Sequence, residues 1–320
     1  METATQQSAP GPAVGERPPE QLPRVLGVTR RRQLKDRFIR ATLLLAASTS
    51  ILIVILIFSF LIKEAAPFLK HPGFSALLGS RWTPVSFLRQ TYGIYPLVAG
   101  SALVTALATL IAVPFGVCGA VYLSEVAAPA ERETLKPLIE LLAGIPSVVL
   151  GFFGLVVLAP WVKEVFGLQS GLTALTGALL LALMAIPTII SISEDALRAV
   201  PLSYKEASLA LGASRLQTIW RITVPAALPG IVAAVMLGMG RVIGETMAVM
   251  MVTGNAAIIT LSPFQSVRTM TATIAAEMGE VSFGSDHYRA LFWIGIILLL
   301  ATFSLNLVAQ RFLKKYRMVQ

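Results

Sequence analysis

Residues 206–225 read EASLALGASRLQTIWRITVP and lie between two long apolar segments of the chain. Polar and apolar residues recur at helical spacing on both sides of Gly212, which predicts two short helices, 203–211 and 214–222. The glycine between them allows the positive φ that a sharp turn requires. An amphipathic element of this kind between two apolar segments is typical of a surface that docks a soluble partner.

The predicted first helix also has a start signal. Ser203 and Glu206 have the spacing of a capping box, in which each side chain bonds a free backbone N–H of the first turn. Large apolar side chains give both helices an apolar face: Leu209, Leu211, Leu216, Ile219 and Trp220. The alternative to partner docking is a pair of surface helices lying against a lipid bilayer.

The rest of the chain is rich in apolar residues. Hydrophobic residues make up 55% of it and charged residues 13%, about half the share found in soluble domains. A helix needs about 20 apolar residues to cross a bilayer, and six segments qualify: 41–62, 94–123, 138–162, 171–192, 227–254 and 289–310. We therefore predict an all-α, polytopic membrane protein with about six transmembrane helices. Pro146 and Pro187 predict kinks or unwinding in the third and fourth helices.

The predicted organisation has two parts. Residues 1–40 are expected to form a disordered, basic cytosolic tail, because residues 1–29 lack apolar periodicity and are rich in Pro, Gly and Gln. Residues 41–315 form the membrane domain, with a cytosolic loop at 193–225.

Basic residues are unevenly distributed between the loops. With the N-terminus in the cytosol, the cytosolic segments hold 18 Lys and Arg residues and the outer segments hold 7. Cytosolic loops of membrane proteins are enriched in Lys and Arg. We therefore expect both termini and loop 193–225 to be cytosolic. The same bias explains the net charge of +9, so we expect no nucleic-acid partner.

Several chemistries lack the residues that they need. The two histidines, His71 and His287, have no metal-ligand spacing, so we expect no metal site. The sequence contains no Gly-Lys pair and hence no P-loop. We expect no cofactor and no enzymatic activity in this chain, and any ATP hydrolysis must come from a separate polypeptide.

Arg241 is the only one of the 26 basic residues inside a predicted span, and Glu245 follows one helical turn later. A charge near the centre of a span costs roughly 2.5–3.5 kcal/mol, so both must face a pathway, a partner helix or each other. The four-residue offset allows them to pair, and a guanidinium suits an oxyanion because it donates two parallel hydrogen bonds. The alternative is a pair that fixes helix packing, which Gly240 and Gly244 support because Gly-x3-Gly allows close helix approach.

Two outer features leave alternatives open. Loop 63–93, rich in Pro and aromatic residues, is amphipathic enough to lie on the membrane surface, where it either docks an extracytoplasmic protein or forms a structural hairpin. Arg268 is interpreted as a solvated loop charge, with reception of an anion as the alternative.

The 206–225 stretch resembles the signature of ABC importer permeases, Glu-Ala-Ala-x3-Gly-x9-Ile-x-Leu-Pro. Ser208 replaces the second Ala, and Val224 replaces Leu. The resemblance implies the type I ABC importer permease fold and makes 193–225 a coupling loop for an ATPase. The coupling residues that match the signature are Glu206, Ala207, Gly212, Ile222 and Pro225.

Further segments resemble the phosphate-specific permeases of this family: 142–147 (LAGIPS), 186–190 (IPTII) with 194–197 (EDAL), 240–248 (GRVIGETMA) and 269–275 (TMTATIA). The likeness covers about residues 40–315, and Gly-Glu-Thr-Met-Ala in the fifth span resembles the first of the two sister permeases. The resemblance implies that Arg241 and Glu245 take part in phosphate passage.

The resemblance also implies partners. These are two copies of an ATP-binding cassette subunit, a homologous second permease and an extracytoplasmic phosphate-binding protein, in the lipid of a bacterial or archaeal cytoplasmic membrane. Three alternatives stay open: a permease for sulfate, molybdate or phosphonate, an ATP-independent secondary transporter or channel, and a membrane subunit that mainly reports phosphate status.

Overall fold

A computed structural model of the chain describes residues 30–86 and 89–317. Residues 1–29 of the predicted tail lie outside the part of the chain that the structure describes. Its remainder, 30–40, is helical and begins the first long helix, since this stretch is rich in Arg, Lys, Gln and Leu, which are strong helix formers. The chain divides into two units, Met1–Ile57 and Phe58–Gln320.

The described residues are mostly helical. The helices and strands are, in chain order, α1 (Arg30–Ala65), β1 (Trp82–Thr83), β2 (Thr91–Tyr92), α2 (Tyr95–Val121), α3 (Pro129–Ala143), α4 (Ser147–Phe153), α5 (Ala159–Phe166), α6 (Ala174–Arg198), α7 (Leu202–Ala210), α8 (Arg215–Thr218), α9 (Val224–Gly244), α10 (Met247–Val252), α11 (Met270–Glu277) and α12 (Asp286–Arg317). Short 3₁₀ turns occupy Ala66–Leu69 and Phe74–Ala76, and π-helical turns occupy Tyr122–Val126, Gly154–Leu158 and Ile219–Thr223.

Within the described residues, six segments are long and apolar enough to cross a membrane, which confirms the predicted number of spans and the all-α class. The spans are Arg37–Leu69, Tyr95–Val126, Ser147–Phe166, Ala174–Arg198, Arg215–Gly244 and Asp286–Val308. The protein is thus a multi-pass membrane protein. Large apolar side chains remain exposed along the spans, such as Leu110 and Phe115 on α2 and Phe152 on α4, as lipid contact requires.

Two predicted span boundaries are wrong because the helices break. The third span starts at Ser147 instead of residue 138, since Gly144-Ile145-Pro146 ends α3 and separates it from α4. The fifth span ends with α9 at Gly244 instead of residue 254, and a separate helix, α10, starts at Met247. Pro146 therefore interrupts its helix as expected. Pro187 lies inside an unbroken α6, as proline can in a membrane helix.

α6 is the central helix of the second unit. It packs against α2 and α9, and Ile189 shows how close these helices come. A Cβ added to Gly116 of α2 would lie 2.6 Å from Ile189 Cγ2, and one added to Gly238 of α9 would lie 2.7 Å from its Cγ1. Glycines on both neighbours thus allow Ile189 to fill the space between three helices.

The two ends of the spans differ. At one end, here called the hairpin end, β1 and β2 pair antiparallel with Trp82 opposite Tyr92. Aromatic and aliphatic residues of loop 63–93 pack there in one buried cluster with Met270 of α11 and Leu291 of α12. The loop is therefore a packed structural hairpin, whereas its docking role stays a prediction. The opposite end, here called the loop end, holds α3, α7 and α8.

Candidate functional site

Arg241 lies near the C-terminal end of α9 and is partly buried. Its Nη2 donates a hydrogen bond of 3.2 Å to the carbonyl oxygen of Ala143. Ala143 is the last residue of α3, and its carbonyl has no partner within that helix because Pro146 prevents the helix from continuing. A cation is also favoured at the negative end of a helix dipole. The break in the third span therefore creates the acceptor that holds the guanidinium.

Arg241 and Glu245, whose spacing in a helix would allow them to pair, bind different partners in the structure. The α9 helix ends at Gly244, and Glu245 has an extended backbone with ψ of 134°. Helical spacing therefore no longer places the two side chains on one face. Glu245 Oε1 accepts a hydrogen bond of 3.3 Å from the backbone N–H of Ala248, in the first turn of α10. Its carbonyl accepts one of 2.8 Å from the Thr271 hydroxyl.

The two helix breaks lie close to each other. α4 packs on α10, where a Cβ on Gly151 would lie 3.0 Å from Ala248 Cα. Among the described residues, nothing lies within 4 Å of a Cβ added to Gly240 or Gly244. The close helix approach that the alternative interpretation of this Gly-x3-Gly pair requires is thus not made within residues 30–86 and 89–317. The side of α9 next to Arg241 is open.

The 193–225 segment contains the two predicted short helices with one change. α7 and the turn at Gly212, whose φ is +83°, confirm the first helix and the break. The second helix does not end at residue 222. It continues through the π-helical turn into α9. The wider turn accommodates Pro225, which cannot donate a backbone hydrogen bond inside an α-helix.

The prediction of a capping box at Ser203 is also wrong. Pro201 is the N-cap of α7 and makes no side-chain cap, so Ser203 lies within the helix. A capping box does occur at the second helix. The Ser214 hydroxyl accepts a 3.3 Å hydrogen bond from the backbone N–H of Gln217. In return, the Gln217 side-chain oxygen accepts a 2.9 Å hydrogen bond from the backbone N–H of Ser214.

The coupling residues lie mostly at the surface of this segment. Glu206, Ala207, Gly212 and Pro225 are exposed and Ile222 is partly buried. Several large apolar side chains are also exposed, among them Leu211 at 90% and Leu216 at 67%. Ile219, predicted to lie on the same face, is buried in the protein instead. The exposed apolar residues form what we call the α7–α8 patch: Leu202, Leu209, Leu211, Leu216 and Trp220.

A buried carboxylate at the loop end, Glu194, was not predicted as a site. Its two oxygens bind side chains of α3: Oε1 contacts Arg132, and Oε2 accepts a 2.7 Å hydrogen bond from Lys136 Nζ. Arg198 lies 3.7 Å away on the same helix. The neighbouring Asp195 accepts a 3.0 Å bond from Lys136. The hydrogen bond to Glu194 raises the pKa of Lys136 above its ordinary value, so its ammonium is charged throughout the neutral range.

A second carboxylate, Glu277 at the hairpin end, has a similar set of partners. Both of its oxygens accept from Trp82 Nε1 at 3.1 Å, Oε1 accepts from Arg268 at 2.7 Å, and Oε2 lies 2.8 Å from His287 Nε2. Glu277, Arg268 and His287 line a cavity of about 850 Å³ that Glu280 also lines. Arg268 is therefore paired with a carboxylate and is not simply a solvated loop charge, whereas its reception of an anion stays a prediction.

Sequence patterns could not identify these two clusters. Glu194 lies 62 residues from Arg132 and 58 from Lys136, and Glu277 lies 195 residues from Trp82. The one available signal was Glu194 itself, a carboxylate at the end of an apolar span, where an unpaired charge would be costly.

Interrupted spans around a guanidinium, together with an exposed apolar segment between two spans, define a membrane transport subunit. Residues 112–317 match the family of binding-protein-dependent transport system inner membrane components, and this chain belongs to that family.

Two relatives support this assignment. The probable ABC transporter permease protein YqgH of Bacillus subtilis is 40% identical over 282 residues, which are 87% of this chain and 89% of YqgH. The phosphate transport system permease protein PstC of Mesorhizobium japonicum is 35% identical over 262 residues, 76% of this chain and 79% of that protein.

Solved structures share the fold. A bacterial alginate ABC transporter, in complex with a periplasmic protein that carries an alginate pentasaccharide, matches with a TM-score of 0.60 and 16% identity over 88% of this chain and 96% of the matched chain. The inward-facing MetNI methionine ABC transporter matches with a TM-score of 0.53 and 19% identity. The match covers 70% of this chain and 94% of the matched chain. The chain therefore has the fold of type I ABC importer permeases.

Proposed function

We propose that this chain is the membrane permease subunit of an ATP-driven importer that carries inorganic phosphate across the cytoplasmic membrane. The relatives named as phosphate transport permeases, such as PstC at 35% identity, support the choice of substrate. The chain itself hydrolyses nothing, and a nucleotide-binding subunit supplies the energy.

The position of Arg241 is the observation that carries this proposal. A guanidinium has five N–H donors, and in the described part of the chain only the Ala143 carbonyl accepts from Arg241. The remaining donors suit the oxygens of a phosphate, which a planar guanidinium binds through two parallel hydrogen bonds. The open side of α9 at Gly240 and Gly244 gives an anion access to this group.

The α7–α8 patch supports docking of the ATPase. Isolated exposed apolar residues are common, but five large ones in one short segment between two spans suit an interaction site. Two copies of the nucleotide-binding subunit are proposed, one on this patch and one on that of a homologous second permease. The loop end and both termini then face the cytosol, in agreement with the distribution of basic residues.

The hairpin end faces outwards in this proposal and receives phosphate from an extracytoplasmic binding protein. A matched transporter structure carries such a periplasmic protein. The packed loop 63–93 and α11 supply an ordered surface for it.

Substitution of Arg241 tests the proposed function. The variant Arg241→Gln in the complete importer, reconstituted into lipid vesicles, should take up radiolabelled phosphate about 100-fold more slowly, because one charged donor aimed at an anion has an effect of that order. Arg241→Lys should retain part of the activity, since it keeps the charge without the planar fork. Arg289→Gln is the control, because Arg289 pairs only with the nearby Asp286 at 3.4 Å.

Competition establishes the substrate. Arsenate should inhibit phosphate uptake because it has the same shape and charge, whereas sulfate should not. Unchanged uptake in Arg241→Gln would refute the role of the guanidinium. Uptake of labelled sulfate by the wild type, with no uptake of phosphate, would identify a permease for another oxyanion.

A further inference from the structure

We propose that Glu194 is a positioning residue for transport: it fixes α3 to α6 so that motion of the α7–α8 segment reaches the Ala143 carbonyl and, through it, Arg241. This inference rests on the proposed function and adds to it a physical connection between the ATPase surface and the guanidinium. Glu194 itself contacts neither the substrate nor the ATPase.

The first step is the attachment of α3. None of its residues, all of which the structure describes, is buried, so apolar burial contributes little to its position. Its polar contacts to α6 are instead ionic. Arg132 and Lys136, one helical turn apart, bind the two oxygens of Glu194. A carboxylate that is 1% exposed between two cations is a strong and directional attachment.

The second step is the distance from this attachment to Arg241. Lys136 precedes Ala143 by two helical turns, which is about 10 Å of helix. α3 is helical between the two residues, although Pro137 removes one of its backbone hydrogen bonds. Any shift of α3 against α6 therefore moves the Ala143 carbonyl by a similar amount and changes where it holds Arg241.

The third step joins α3 to the proposed coupling segment by two routes. α6 ends at Arg198 and is followed by α7 after three residues. On the other side, Lys205 of α7 donates a 2.6 Å hydrogen bond to Glu125, at the end of the second span. Glu131 in the first turn of α3 binds that same end through the Tyr122 hydroxyl at 3.2 Å. α3 and α7 are thus both bound to the same end of the second span.

The experiment measures phosphate transported per ATP hydrolysed in the complete reconstituted importer. Glu194→Gln should lower this ratio about tenfold, because small misplacements of a binding group have effects of at least that size. ATP hydrolysis should continue. The matched control is Asp195→Asn, which removes the adjacent carboxylate from the same helix. Asp195 is 66% exposed and binds only Lys136, so its variant should keep the wild-type ratio.

Two outcomes of this experiment would overturn the inference. One is a wild-type ratio in Glu194→Gln, and the other is an equal loss of transport and hydrolysis, which would indicate only a structural role. Failure of the proposed function looks different, because the wild-type importer itself would then not transport phosphate.

A second measurement does not depend on the folding of Glu194→Gln. Cysteines replace Lys136 and Asp195 in a Cys118→Ser background with Glu194 retained, and a short bifunctional thiol reagent bridges them. The Lys136 replacement removes one of the two cations that bind Glu194, so the unbridged protein should have lowered uptake. If α3 and α6 move as one body, bridging should restore uptake to within about twofold of the Cys118→Ser protein. Loss of uptake on bridging would mean that the helices separate during transport and would overturn the inference.

Discussion

Glu194 at the loop end and Glu277 at the hairpin end each receive donors from distant segments, but their surroundings differ. The Glu194 side chain is 1% exposed and has three cationic neighbours, Arg132, Lys136 and Arg198. The Glu277 side chain is 17% exposed and is bound by one arginine, one histidine and one indole N–H.

This difference shows what each cluster stabilises. A fully buried carboxylate must be compensated by charge, whereas a partly exposed one can share its charge with water. Glu194 holds a helix that has no buried residue of its own. Glu277 instead joins segments that already share a buried cluster around Trp82, Tyr92 and Leu291. The attachment of α3 at the loop end therefore depends on ion pairs, whereas the segments that Glu277 joins at the hairpin end are also held by apolar packing.

The largest expected effect is loss of stability when each carboxylate is removed. Glu194→Ala should destabilise the protein by about 3–5 kcal/mol, because it leaves buried cations without a partner. Glu277→Ala should cost about 1–3 kcal/mol, the usual effect of leaving hydrogen-bond donors unsatisfied. Denaturation of the purified protein in mixed micelles, followed by circular dichroism, measures both. An equal loss in the two variants would remove the contrast between the ends.

Substitution of two glycines should have a smaller effect on stability but different effects on ATPase binding. Gly212 at the loop end and Gly167 at the hairpin end both have positive φ, and nothing described lies within 4 Å of an added Cβ. Valine at either position should cost about 1–2 kcal/mol from backbone strain alone. Only Gly212→Val should also reduce ATPase binding, measured by co-purification, because Gly212 lies in the α7–α8 segment. Similar ATPase binding by both variants would contradict the assignment of that segment as the docking surface.

The smallest effect is expected at Asp195. Its bond to Lys136 is exposed to solvent, and such pairs contribute about 0–1 kcal/mol. Asp195→Asn should therefore shift stability by less than about 0.5 kcal/mol in the same denaturation experiment. A loss as large as that of Glu194→Ala would show that the two carboxylates act together and that burial does not distinguish them.

Much of the fold could be predicted from sequence because bilayer thickness and hydrogen-bond satisfaction allow few solutions. The six spans, the helix over 202–210 and the turn at Gly212 depend on local patterns, and the structure has them. Arg241 was identified because a lone charge in an apolar segment needs a reason to be there.

The remaining features depend on contacts between distant residues. Helical spacing allowed Arg241 to pair with Glu245, but the chain leaves the helix at Gly244, and the acceptor for Arg241 is a carbonyl 98 residues away. Ser203 had the correct spacing for a cap, yet Pro201 is the N-cap and the helix starts at Leu202. The Glu194 cluster requires α3 to lie beside α6, which no local pattern of α3 indicates.

The carbonyl of Ala143 has a consequence for substrate affinity. In the proposed function the same guanidinium serves that carbonyl and the anion, so the two acceptors are thermodynamically linked. A change that strengthens one bond at the expense of the other must alter both equilibria by the same factor. The affinity for the cargo is then set in part by how firmly the end of a neighbouring helix is held, so residues that never meet the cargo can tune how readily it is released.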